Sequence, residues 1–224
     1  MNNTLILYDE RKGEIDYYFT VMENFEEQHA QLQGLDDSRL LRILKSNFLL
    51  MLYNLVEACI ASGISEIYES LRANTSSYTD LIVEVRSLWS NYEIGKVYSN
   101  TAGRTTYEGA VQSIINHVIT NQPILLSKEA MNRKGNLDAR AIKEICDRHR
   151  IRYVASDDNN CLKTVKDKRN NLAHGDESFG DCARDMTLRD LSDIKEVSCK
   201  FIRDILSGME KYYREKQYLA RSGA

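Results

Sequence analysis

The segment KDKRNNLAHGDESF sets Arg169 and His174 with four residues between them, and Asn170 directly follows the arginine. Imidazole titrates near neutrality, so a histidine can take a proton from a nucleophile or give one to a leaving group. A guanidinium holds a phosphate through paired hydrogen bonds and neutralises the charge that grows on it in a phosphoryl transition state. Together they suit attack of a ribose 2′-hydroxyl on the adjacent phosphodiester, without a metal; DNA lacks that hydroxyl. The spacing alone is a weak signal. Five residues turn a helix by about 140°, so one regular helix does not aim both side chains at one phosphate. Convergence requires the helix to fray near Ala173–Gly175, or two copies of the chain to face each other.

A second polar set lies in the apolar stretch NFLLMLYNLVEAC, where Asn47, Asn54 and Glu57 fall at intervals of seven and three, near one helix face. Buried polar groups cost stability unless hydrogen-bonded. Two readings stay open: a structural network or cap, or Asn54 and Glu57 reaching Arg169 or His174 across the bundle to fix their orientation.

Charge is unevenly distributed. Residues 1–57 hold 5 Lys+Arg against 10 Asp+Glu, whereas residues 128–169 hold 12 against 7, on a chain of net charge −3. Such a segment either solvates helices or offers a surface to phosphate, with Lys166, Lys168, Arg148, Arg150 and Arg152 as the RNA-binding candidates. His117 reads as a satisfied core or edge histidine, and His29 and His149 as solvated. Trp89, Tyr212 and Tyr213 read as packing. The sequence shows no phosphate-cradling glycine loop, no metal-spaced His/Cys set and no nucleophile elbow, so no metal and no cofactor is expected.

The elements that must position these residues are helices. A single proline, Pro123, and 11 glycines in 224 residues disfavour turn-rich sandwiches and barrels. Apolar spacing predicts a first helix from about 14 to 33, ended by Gly34, and a long central one from about 39 to 73, capped by Asp36, Asp37 or Ser38. A third runs over 78–98. Residues 99–158 break the pattern with short apolar runs (IINHVI, PILLS, RYVA) and read as an insertion with short helices at about 106–120 and 138–149 and a strand or two. A helix capped by Asp158 or Asn159 then ends near His174, and Thr187 with Asp190 opens the last one in a capping-box-like T-x-x-D. The expected class is all-α, one domain over 1–224 with the insertion at 99–158.

No uninterrupted apolar run reaches the ~20 residues of a membrane span, and MNNTLILYDERKGE lacks the basic and apolar blocks of a secretion signal. Five cysteines without a C-x-x-C pair read as reduced thiols. The expectation is a cytoplasmic protein that engages no membrane.

RNNLAHG at a helix end, followed by a polar loop with Ser178 and Phe179, resembles the R-x4–6-H signature of the HEPN superfamily. The blocks NFLLMLYNLVEAC (47–59), GNLDARAIKEICDRHRI (135–151) and VKDKRNNLAHGDESF (165–179) extend the resemblance to its MAE-like bacterial branch. The resemblance implies a HEPN-like helical bundle that dimerises so that both motifs line one cleft, and a metal-independent endoribonuclease acting as a toxin or defence effector. Its partners would be RNA, a second copy, and an antitoxin or defence-system protein. Arg169 would bind and polarise the scissile phosphate, His174 would be acid/base or phosphate ligand, and Asn170 would orient one of them. The alternative is a non-catalytic HEPN module that dimerises and recognises RNA or a protein partner. HEPN toxins silenced by nucleotide transfer often carry a tyrosine two residues after the histidine. That position is Asp176 here, which speaks against such control.

Overall fold

A computed structural model describes residues 1–27, 37–98, 104–131, 136–155, 157–158 and 160–220. Its helices are α1 (Asn2–Glu27), α2 (Asp37–Ala73), α3 (Val83–Tyr98), α4 (Arg104–Ile119), α5 (Ala139–His149), α6 (Cys161–His174) and α7 (Leu188–Arg214), with 3-10 turns at Tyr78–Asp80 and Lys128–Met131. The fold is all-α, a helical bundle with short helices between α3 and α6. Among the described residues the only β-pairings are isolated bridges, Ser77 to Pro123 and Leu81 to Leu219.

Helix α2 is the hub, packed by α1, α6 and α7, while α3 meets α4 and α5. Phe48, Leu49, Leu52, Tyr53, Leu55, Val56, Ile60 and Ile64 are all essentially inaccessible, because a helix apolar over most of its circumference must be covered on most sides. Facing it, α7 presents Leu191, Phe201, Ile202, Ile205, Leu206 and Met209. The Thr187 hydroxyl accepts from the Asp190 N–H while the Asp190 carboxylate accepts back from Thr187, the reciprocal cap expected there.

Several expectations need correction. Helix α1 starts at Asn2, not near Glu14, because tertiary partners recruit its first turns: Thr4 donates to Glu66, and the buried Tyr8 hydroxyl donates to the Cys199 carbonyl at 3.0 Å. Its predicted end, with Gly34 and Asp36, lies outside the described residues. The predicted helix 78–98 is interrupted, since Asp80 turns back to accept from Ser77, and the buried Leu81 is extended (φ −99°, ψ 154°). No strand forms at RYVA. Those residues cross α7 at Gly208, where a Cβ would lie 2.6 Å from the Arg152 carbonyl oxygen, so only glycine admits the crossing.

Helix Ser38–Ala73 is long and apolar enough to span a bilayer, although no uninterrupted apolar run within it is, and over half of its most apolar stretch is buried inside this fold. All five cysteines are free thiols, four of them buried.

Candidate functional site

Helix α6 carries the motif, and its ends are built differently. At the start Asn160 is left-handed (φ 62°), and the Asp158 carboxylate accepts the free N–H of Leu162 at 3.2 Å. Asn159, the other predicted cap, is outside the described residues. At the finish Gly175 takes φ 77°, its N–H reaching the Leu172 carbonyl and the Asp176 N–H the Asn171 carbonyl. This six-to-one and five-to-two closure is a Schellman cap. The helix is therefore regular through His174, and fraying near Ala173–Gly175 is not observed.

Arg169 is half-buried on the side of α6 that meets α2. Its guanidinium carbon lies 4.5 Å from the centroid of the Tyr53 ring, within cation–π range. Its Nη1 donates to Asn170 Oδ1 at 2.9 Å, and Asn170 Nδ2 donates to Asn136 Oδ1 at 2.9 Å. The Tyr53 hydroxyl accepts the Leu137 N–H at 3.3 Å, and Lys166 is held at 2.7 Å by Asp138. Three consecutive residues ahead of α5 thus brace α2 and α6. Asp138 also caps α5 through the Ala141 N–H, tying the brace to that helix.

His174 is exposed at the last helical position. Arg169 packs inward and His174 faces outward, as the angle between their positions dictates, so a single chain does not bring them to a common point. Lys168 pairs with Glu177 at 3.2 Å, and the Cys182 thiol lies 3.7 Å from the Lys168 carbonyl. Burial works against ionisation of Glu177, but hydrogen bonds from Lys168, Cys182 and Asn171 hold its carboxyl below the usual range. Across the same loop, α2 pins both ends: Ser46 donates to the Phe179 carbonyl at 2.8 Å and Lys45 to the Met186 carbonyl at 2.9 Å.

The other predicted residues divide. Glu57 shares the surroundings of Tyr53: burial raises the Tyr53 phenol above its ordinary value, the Leu137 N–H opposes this, Glu57 raises it further, and Arg169 and Lys166 pull it down. Asn54 is exposed, and Asn47 lies beside the Tyr18 hydroxyl of α1, which donates to the Leu44 carbonyl at 3.2 Å. Arg148 and Arg150 lie at the far end of α5 from Asp138, about 15 Å along its axis. There Arg150 pairs with Glu84 at 3.6 Å, and Arg148 and Glu84 line a cavity of about 790 Å³ beside α3. Arg152 lies over α7. The basic segment is thus split between two ends of a helix, and Lys166 and Lys168 are partnered by acids.

His149 is a correction: it is 2% exposed, not solvated, with Nδ1 against the Ile145 carbonyl and Nε2 against the Tyr68 hydroxyl, both at 2.7 Å. His117 packs on Trp89 and bonds the Pro123 carbonyl, and His29 is outside the described residues. Among the described residues, no three His, Cys, Asp or Glu side chains gather as metal ligands would.

Sequence reasoning missed Tyr53, Asn136 and Leu137. A signal existed for the first: a tyrosine inside an otherwise aliphatic helix must find its hydroxyl a partner. Nothing local marks the other two.

Compared with known proteins, residues 7–218 match the family described as MAE_28990-like HEPN. No curated protein and no solved structure matches the chain.

Proposed function

The chain belongs to the MAE_28990-like HEPN family, and from that premise we propose that it is a metal-independent endoribonuclease, a cytoplasmic toxin or defence effector working as a homodimer. The observation that supports this most is the R-N-x-x-x-H motif on an ordered helix, with the arginine pre-set against Tyr53 and Asn170. Arg169 binds the scissile phosphate and offsets its growing charge. His174 from one copy takes the proton of the 2′-hydroxyl, whose oxygen attacks phosphorus. The bond to the 5′-oxygen breaks, and that oxygen receives a proton from the other copy's imidazole. The products carry a 2′,3′-cyclic phosphate and a 5′-hydroxyl. Two copies are required because one helix directs Arg169 and His174 apart.

The same divergence, with Lys166 and Lys168 each held by a carboxylate, supports a second reading: a dimerising module that recognises RNA or a protein partner, such as an antitoxin, without turnover. The test is incubation of total RNA with the purified chain, with and without EDTA, followed by end-group analysis. Cleavage that survives EDTA and leaves cyclic phosphate ends is expected. Intact RNA selects the module reading, and 5′-phosphate ends would mean attack by water and a different enzyme class.

A further inference from the structure

Tyr53 is the least conspicuous polar residue of the site. Its ring is 1% exposed, and its face lies 4.5 Å from the guanidinium carbon of Arg169. A buried ring is fixed twice over here, by the α2 core around it and by the Leu137 N–H on its hydroxyl. The arginine is then met on two sides, by the ring face and by Asn170 Oδ1 at Nη1. A guanidinium on a four-bond stem has many rotamers, and holding it in one before substrate arrives removes that ordering cost from the reaction.

We propose that Tyr53 is a positioning residue, whose ring face presets the Arg169 guanidinium for the scissile phosphate. The inference rests on the endoribonuclease reading for its effect on rate, though not for its effect on the arginine. Asn136, Leu137 and Asp138 hold the partners of that arrangement, since they bond Asn170, Tyr53 and Lys166 in turn. The negative face of the ring is the working feature, and the hydroxyl only locks the ring in place.

Two replacements of nearly identical shape separate these roles: Tyr53→Phe, and incorporation of pentafluorophenylalanine at position 53, which reverses the charge on the ring face. Thermal melting of both confirms the fold. The readouts are kcat and KM on an RNA oligonucleotide, and the order parameter of the Arg169 Nε–H by NMR in the ligand-free protein, assigned with Arg169→Lys. The Phe variant is expected within about threefold of wild type in kcat. The fluorinated one should lose about tenfold or more in kcat, with KM changed less than about threefold, and a more mobile guanidinium. Equal rates in the two variants overturn the proposal, as does a Phe variant that falls as far as the fluorinated one. If wild-type protein leaves RNA intact, the endoribonuclease reading fails, and the Nε–H order parameters alone decide whether the ring holds the arginine.

Discussion

Helices α5 and α6 end on the same plan. Each finishes with a histidine, and each is closed by a residue in the left-handed region, Arg150 at φ 58° and Gly175 at φ 77°. The two imidazoles meet opposite fates. His149 is sealed between Tyr68 of α2 and the Ile145 carbonyl, and burial drives its pKa down to about 4. His174 stands in solvent beyond the α2–α6 seam. Local sequence and helix termination therefore do not tell a buried histidine from an exposed one. The difference lies in what the neighbouring helix places opposite: a phenol at Tyr68, and at the end of α6 an open surface that a second copy and a substrate would complete.

The largest expected contrast is in activity. His174→Ala should lose RNA cleavage by about a hundredfold or more, since general acid–base catalysis contributes on that order, with melting temperature unchanged. His149→Ala should keep most of the cleavage rate at low temperature and lose about 2 kcal/mol or more of stability, because it opens a cavity and orphans the Tyr68 hydroxyl. Gel assays and urea melts on the pair would show it; an active His174→Ala protein would remove the histidine from the mechanism.

The second contrast is in pH. His149 titrates near 6.5 when unfolded and about 4 in the fold. Above 6.5 neither state carries the proton, and the contribution of the buried neutral ring is fully present. As the pH falls from 6.5 toward 4, the unfolded chain binds a proton that the folded one refuses, so stability drops by up to about 3 kcal/mol. Urea midpoints of wild type and His149→Gln at pH 7 and pH 4.5 test this. The variant should lose most of the difference, and an identical pH slope in both would assign it to other groups.

The smallest contrast is between the caps. Gly175→Ala forces a Cβ into the left-handed region and should cost about 1 kcal/mol. Arg150→Gly relieves that strain but loses a half-exposed pair with Glu84, leaving a change within about 0.5 kcal/mol. Calorimetry that ranked the two in reverse would mean that the cap of α6 is not held as tightly as its hydrogen bonds suggest.

Much of this architecture was legible because it is written in local rules. Thr187 and Asp190 announce α7, and the apolar span from Leu40 to Val56 announces a buried hub. What escaped depended on partners distant in sequence. Residues 2–13 look too charged for a core helix until Tyr8 finds Cys199. His149 sits among Asp147, Arg148 and Arg150, and only Tyr68, far upstream, explains its burial. At the candidate site the motif was visible as residue types, and so was the angle that separates its two ends. The brace of Asn136, Leu137 and Asp138 was invisible, because its bonds to Asn170, Tyr53 and Lys166 use ordinary loop residues at no characteristic spacing.

The hub helix also has a history in time. Its apolar surface is complete once Ala73 has been made, yet α6 and α7, which cover much of it, end at His174 and Arg214. At ordinary translation speeds that interval is on the order of ten seconds. Until those two helices are made, the packing partners of the hub already present are α1 and, later in the interval, the turn at Lys128–Met131. The setting of Arg169 is late for the same reason, because Tyr53 is made long before Asn136 and Asn170, which complete it.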